Sequence, residues 1–139
     1  MASQLLTILG GFLFILLGLL HGFWSFLDVF WPRRFAPIKA TVVEEMKTTG
    51  VRISGGRTSM WDAWLGFNIS HSVGVILFGA FSVAGGFSLY ALSIPKAALL
   101  LPASIGLLYF LLSVRFWFYA PIVGTAMGTA CFFVAWWIY

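Results

Sequence analysis

The sequence predicts an all-α fold, a polytopic membrane protein with four transmembrane helices in an antiparallel bundle and a short interfacial helix in the first loop. Three observations predict it. Of the 139 residues, 61% are hydrophobic and 9% charged, too little polar surface for a water-soluble globule. The apolar residues gather into four runs, about 5–30, 62–93, 97–115 and 120–139, each long enough to cross a hydrocarbon core about 30 Å thick. Between the first two runs lies a polar segment, 32–60, that holds six of the eight Lys and Arg residues. Residues 1–139 are therefore expected to form a single transmembrane domain.

The first run (LLTILGGFLFILLGLLHGFWSFLDVF) spans with some tilt. At 100° per residue, Gly18, His21, Ser25 and Asp28 fall on one narrow arc, which must face protein or water because lipid exposure is costly there. Trp24 and Trp31 suit an interfacial aromatic belt, and Pro32 ends the helix.

Segment 32–60 carries Arg33, Arg34, Lys39, Lys47, Arg52 and Arg57 against Glu44 and Glu45. Within it, Pro37 is expected to open a short helix lying on the membrane surface. Ile38, Val42, Val43 and Met46 would share its apolar face, opposite Lys39, Glu44 and Lys47. Gly50 stops that helix, and Ser54-Gly55-Gly56 makes a turn. Arg33, Arg34, Lys39, Arg52 and Arg57 are candidate contacts for anionic lipid headgroups, at about 1 kcal/mol each.

Ser59 caps the second span, with Asp62 three residues on as the acid of a capping box, a better account of Asp62 than a catalytic one. Asn68, His71, Val75 and Ser82 line one face, with Gly79 and Gly86 at its edge. Gly85-Gly86 kinks the run or marks its exit from the membrane, and Pro95-Lys96 closes it. The third span carries Pro102, Gly106, Tyr109 and Ser113 on one side and ends in an aromatic turn, Arg115 to Tyr119. In the fourth, Gly124-x-x-x-Gly128 is a helix-packing seam, continued by Cys131 and Ala135.

This arrangement puts segment 32–60 and Arg115 on one side, and Lys96 and both termini on the other. By the positive-inside rule the segment is cytoplasmic and the termini are outside, periplasmic in a bacterium. No Lys or Arg precedes the first run, and the run is too long for the core of a secretory signal.

The chemistry centres on two histidines. His21 lies ten residues before Trp31 and His71 ten after Trp61, so in a helical hairpin both imidazoles sit about 15 Å from one interface. The candidate site is His21 and His71, with the polar cluster Ser25, Asp28, Asn68 and Tyr109 around them. The plainest reading is direct hydrogen bonding across the helices, which fixes their register. A second is intramembrane ligand binding: b-type haem held by the two imidazoles, or a quinone or lipid carbonyl, with Tyr109 or Asn68 as second donor. A third is a proton path along His21, Ser25 and Asp28.

Other chemistries find no residues. The lone Cys131 excludes an internal disulfide and a CxxC pair, and no nucleophile set assembles around it. No metal site is expected, since only Asp28 adds a ligand type, two turns from His21. The dispersed positives do not fit nucleic acid, and Ser54-Gly55-Gly56 lacks the pattern of a phosphate loop. The reading that follows is a non-enzymatic integral membrane protein, an accessory or partner subunit of a larger membrane assembly.

Arg57-Thr58-x-x-Trp61-Asp62-x-x-x-Gly66-Phe67-x-x-Ser70-His71-x-x-Gly74, with His21 in the first span, resembles a family of small bacterial four-helix integral membrane proteins of unknown function. The resemblance implies the fold and a bacterial origin, and it implies no reaction.

Overall fold

A computed structural model describes residues 1–139. The protein is all-α, with helices α1 (Ala2–Phe30), α2 (Ala40–Thr48), α3 (Met60–Ser88), α4 (Leu100–Phe116) and α5 (Tyr119–Ile138). A 3₁₀ turn, Lys96–Leu99, runs directly into α4. Four elements are long and apolar enough to cross a membrane: α1 and α3 with 29 residues each, Lys96–Phe116 with 21, and α5 with 20. This is an integral membrane protein built as a bundle of four antiparallel spans.

The helix ends follow from local chemistry. Pro32 has no N–H to extend α1, and the residue before a proline is driven out of the helical region. At the start of α3, the Ser59 hydroxyl accepts the Asp62 N–H at 3.0 Å and donates to the Asp62 carboxylate at 2.6 Å. The Ser59 cap is made, and the Asp62 carboxylate closes it on the Ser59 hydroxyl rather than on the backbone N–H of a full capping box.

Two boundaries differ from expectation. The second span ends at Ser88 rather than 93: Leu89 to Ser93 form a turn, with Ser93 in the left-handed region at φ 49°. Gly85-Gly86 thus marks the approach to the exit, and apolar composition alone had carried the run five residues too far. The short helix begins at Ala40 rather than Pro37, because Lys39 is extended (φ −83°, ψ 119°). Ile38 therefore lies outside it, and the helix buries only Val43.

After α2 the backbone folds into a compact hydrogen-bonded turn. Gly50 and Ser59 form an antiparallel bridge. Val51 N–H donates to Thr58 O and Met60 N–H to Thr49 O, both at 2.8 Å. Gly55 and Gly56 take φ of 63° and 81°, open to glycine without strain.

The chain forms two compact units, Met1–Leu17 with Val75–Tyr139, and Gly18–Gly74. The core of the first is Phe14, Val75, Ala103 and Phe132, with Phe78 and Tyr109 packed against it. Phe14 meets Phe78 edge to face at 4.9 Å and lies parallel to Phe132 at 5.9 Å. In this unit α1 and α3 touch backbone to backbone, since a Cβ on Gly79 would lie 2.5 Å from Gly11 O. Between α4 and α5, the Ser113 and Thr125 hydroxyls hydrogen-bond at 3.0 Å. Gly128 faces Phe14 and Gly124 faces Leu17, so the Gly-x-x-x-Gly stripe of α5 lies against α1.

Candidate functional site

The candidate site lies in the unit Gly18–Gly74. The arc read from the sequence brings His21, Ser25 and Asp28 to the inner face of α1, and Asn68 lies on that of α3, where Ser72, outside the predicted face, joins it. Ser25 and Asp28 are each 1% exposed, Ser72 2% and Asn68 3%. The helices come together where Gly22 faces Ser72: a Cβ there would stand 3.2 Å from the serine Cβ.

Asn68 organises the centre. Its Nδ2 donates to Trp64 O, one turn back, at 2.8 Å, which fixes the amide orientation. Its Oδ1 then faces His21 Nε2 at 3.0 Å. A carbonyl oxygen only accepts, so this network assigns the proton to His21 Nε2, which donates. The two imidazoles meet edge to face, with centroids 5.5 Å apart and planes at 75°. Phe67 lies parallel to His71 at 5.9 Å.

Asp28 acts on the backbone beyond α1. Its Oδ1 accepts Arg33 N–H at 2.8 Å and Arg34 N–H at 2.9 Å, and its Oδ2 accepts Phe35 N–H at 2.6 Å. Three backbone donors solvate the carboxylate without any cationic side chain. The clamp folds the chain back so that the Phe35 ring covers His21, centroids 4.4 Å apart, and Phe35 O accepts Trp64 Nε1–H at 3.1 Å. His21, expected near the middle of the hydrocarbon, is thus roofed by a residue of the basic segment.

These contacts limit the chemistry. The Ser25 hydroxyl donates to His21 O at 2.8 Å, so its proton goes to the backbone rather than to the imidazole or Asp28. Both Asp28 oxygens are held by N–H groups. Polar atoms expected to form a ladder are instead tied to main chain. Bis-imidazole ligation of haem needs both rings to aim a nitrogen at one iron, with the macrocycle between them. Edge-to-face contact leaves no slot for that plane, and His21 Nε2 is committed to Asn68, so these residues do not fit haem. No group of three or more His, Cys, Asp or Glu side chains gathers to hold a metal.

The other named residues stand elsewhere. Tyr109 belongs to the unit Met1–Leu17 with Val75–Tyr139, where its ring packs on Phe14 at 5.8 Å and Phe78 at 5.9 Å. Arg33, Arg34, Lys39, Arg52 and Arg57 are all exposed, with the Arg34 guanidinium 4.3 Å from the centre of the Trp24 ring. Trp61, from which the depth of His71 is counted, is buried, at 5% exposed.

Sequence reasoning missed Phe35, Trp64 and Ser72. One signal pointed toward Phe35. An acid in the last turn of a helix opposes the helix dipole, so Asp28 needed donors from outside the helix, and the chain just past Pro32 supplies the nearest.

Comparison with protein families, curated proteins and solved structures finds no match to this chain.

Proposed function

We propose that the protein is a non-enzymatic accessory subunit of a larger membrane assembly, set in a bacterial inner membrane with segment 32–60 cytoplasmic and both termini periplasmic. The observation that carries this reading lies in segment 32–60, outside the four apolar helices. Ile38 is 104% exposed and Ile53 97% exposed. An isoleucine left in water forgoes about 1.5–3 kcal/mol of burial. Such exposure is no accident of a loose chain, because the backbone around Ile53 is tied down. Ser54 N–H and Gly56 N–H both donate to Val51 O, Gly55 N–H donates to Arg52 O, and the bridge at Gly50 and Ser59 closes the turn. A rigid turn that holds an apolar tip between Arg52 and Arg57 has the form of a contact knob for another subunit.

Under this reading His21, Asn68 and His71 lock the register of α1 and α3, and the Asp28 clamp sets the course of the segment that carries the knob. Anionic headgroups at Arg33, Arg34, Lys39, Arg52 and Arg57 hold the segment against the bilayer. The test is purification of the tagged full chain in native lipid discs from its own host. The expected result is elution with a second membrane protein in fixed ratio, and loss of that protein from the Ile38→Asp/Ile53→Asp variant at unchanged helicity. A lone monomer in native lipid would remove the reading.

A further inference from the structure

The unit Met1–Leu17 with Val75–Tyr139 contains a cavity of about 480 Å³ that the histidine cluster does not touch. It is lined by α1, α3, the 3₁₀ turn and α4, and nearly all of its lining is apolar. Its size falls within the ordinary range for small-molecule sites, which occur between the helices of bundles. Phe81 and Leu101 stand at its mouth, 75% and 66% exposed. Both belong to membrane-spanning elements, so the medium at the mouth is lipid.

Besides Tyr109, whose ring packs on Phe14 and Phe78, two hydroxyl-bearing residues line this apolar space, Thr7 and Ser82, 2% and 7% exposed. Thr7 Oγ1 donates to Ser3 O at 2.8 Å, and Ser82 Oγ donates to Phe78 O at 2.9 Å. Each hydroxyl has one proton, and each has given it to its own helix. What they offer the cavity is acceptor lone pairs. A ligand suited to this lining has an apolar body and one hydrogen-bond donor, and bears no anion. The volume sets the length: a methylene fills nearly the space of a water molecule, about 30 Å³ in the liquid, so a chain of about sixteen carbons fills it.

We infer that this cavity is a binding site for an uncharged single-chain lipid with a hydroxyl head, its chain entering past Phe81 and Leu101 and its O–H donating to Thr7 and Ser82. Gly85 supplies the means to test it. It lines the cavity, yet a Cβ built on it meets no atom within 4 Å. Gly85→Leu therefore fills the cavity without striking backbone, and it raises helix propensity. Gly74→Leu makes the same change on α3 at another glycine whose Cβ meets nothing, outside the cavity.

The experiment photolabels the full chain in lipid discs with diazirine-bearing hexadecanol, using diazirine-bearing hexadecane and palmitate for comparison, and maps the adducts by peptide mass. The expected result is hexadecanol labelling concentrated on 78–85 and 98–109 and displaced by unlabelled hexadecanol. Labelling should fall about tenfold in Gly85→Leu and hold in Gly74→Leu. The Thr7→Val/Ser82→Ala variant should lower hexadecanol labelling about threefold and leave hexadecane labelling unchanged. Labelling spread along all lipid-facing surfaces, or not displaced by unlabelled hexadecanol, overturns the site whatever the variants do. Equal labelling by palmitate, or a double variant that does not separate alcohol from alkane, overturns the hydroxyl-headed ligand.

Discussion

At the scale of single residues, the polar side chains of the helix pair hold backbone and one another in place. Asn68 is the hinge of this arrangement, because it links the Trp64 carbonyl of α3 to the His21 side chain of α1. Asn68→Leu keeps the volume and leaves the His21 N–H without its acceptor. Interhelical bonds of this kind are worth about 0.6–2 kcal/mol. Thermal unfolding in mild detergent should show a loss in that range, and a smaller one for His71→Phe, which keeps an aromatic ring at the edge-to-face contact. Asp28 matters through three backbone donors at once. Asp28→Ala strands them and should destabilise by about 2–4 kcal/mol, and it should speed chymotrypsin cleavage after Phe35, which the clamp holds over His21. Unchanged proteolysis would show that the segment needs no clamp. The arc of His21, Ser25 and Asp28 was legible in the sequence because helical periodicity alone places it. Their partners were not, because Arg33, Arg34 and Phe35 contribute backbone N–H groups, which every residue but proline carries and no side-chain pattern reveals.

At the scale of elements, hydropathy located all four spans, and the errors lie where a helix ends in apolar residues. Leu89 to Ser93 continue the hydrophobic run without continuing the helix, so composition had nothing to mark the stop before Pro95. Helix contacts were legible in half. The stripe Gly124-x-x-x-Gly128 announced close packing, but its neighbour, α1, is a matter of tertiary structure. Gly79 and Gly86 were legible only as the edge of a polar face, and Gly11 carried no signal, because their approach to the facing helix is a matter of tertiary structure. These glycines separate into two kinds with opposite predicted effects. On Gly79 a Cβ would meet Gly11 O at 2.5 Å, so Gly79→Ala must push α1 and α3 apart and should cost about 1–3 kcal/mol. On Gly66 a Cβ meets nothing within 4 Å, and Gly66→Ala should stabilise by up to about 1 kcal/mol through helix propensity. Paired thermal melts of the two variants check this; shifts of the same sign would contradict it.

At the scale of the whole molecule, the distribution of charge is what supports the proposed orientation. Six Lys and Arg residues stand against two Glu within 32–60, Arg115 lies in the last turn of α4, and Lys96 opens the third span at its other end. Translocating the segment would carry all six positives across the membrane, which opposes the insertion bias that keeps Lys and Arg in the cytoplasm. The proposed orientation depends on counts and order rather than on contacts, so the sequence alone bears on it. The exposed tip at Ile53 gives a direct reporter. In a Cys131→Ala background, Ile53→Cys places the only thiol on a side chain that is 97% exposed. With the chain expressed in excess over any partner, a membrane-impermeant maleimide should leave it unlabelled in intact spheroplasts and label it fully after permeabilisation. Replacing Arg33, Arg34, Lys39, Arg52 and Arg57 together by Gln leaves Lys47 against Glu44 and Glu45, with no positive excess in the segment. That variant should insert in both orientations and show partial labelling in intact spheroplasts. Full labelling of the Arg- and Lys-bearing chain from outside would reverse the orientation, and the basic segment would then have to act on an external surface.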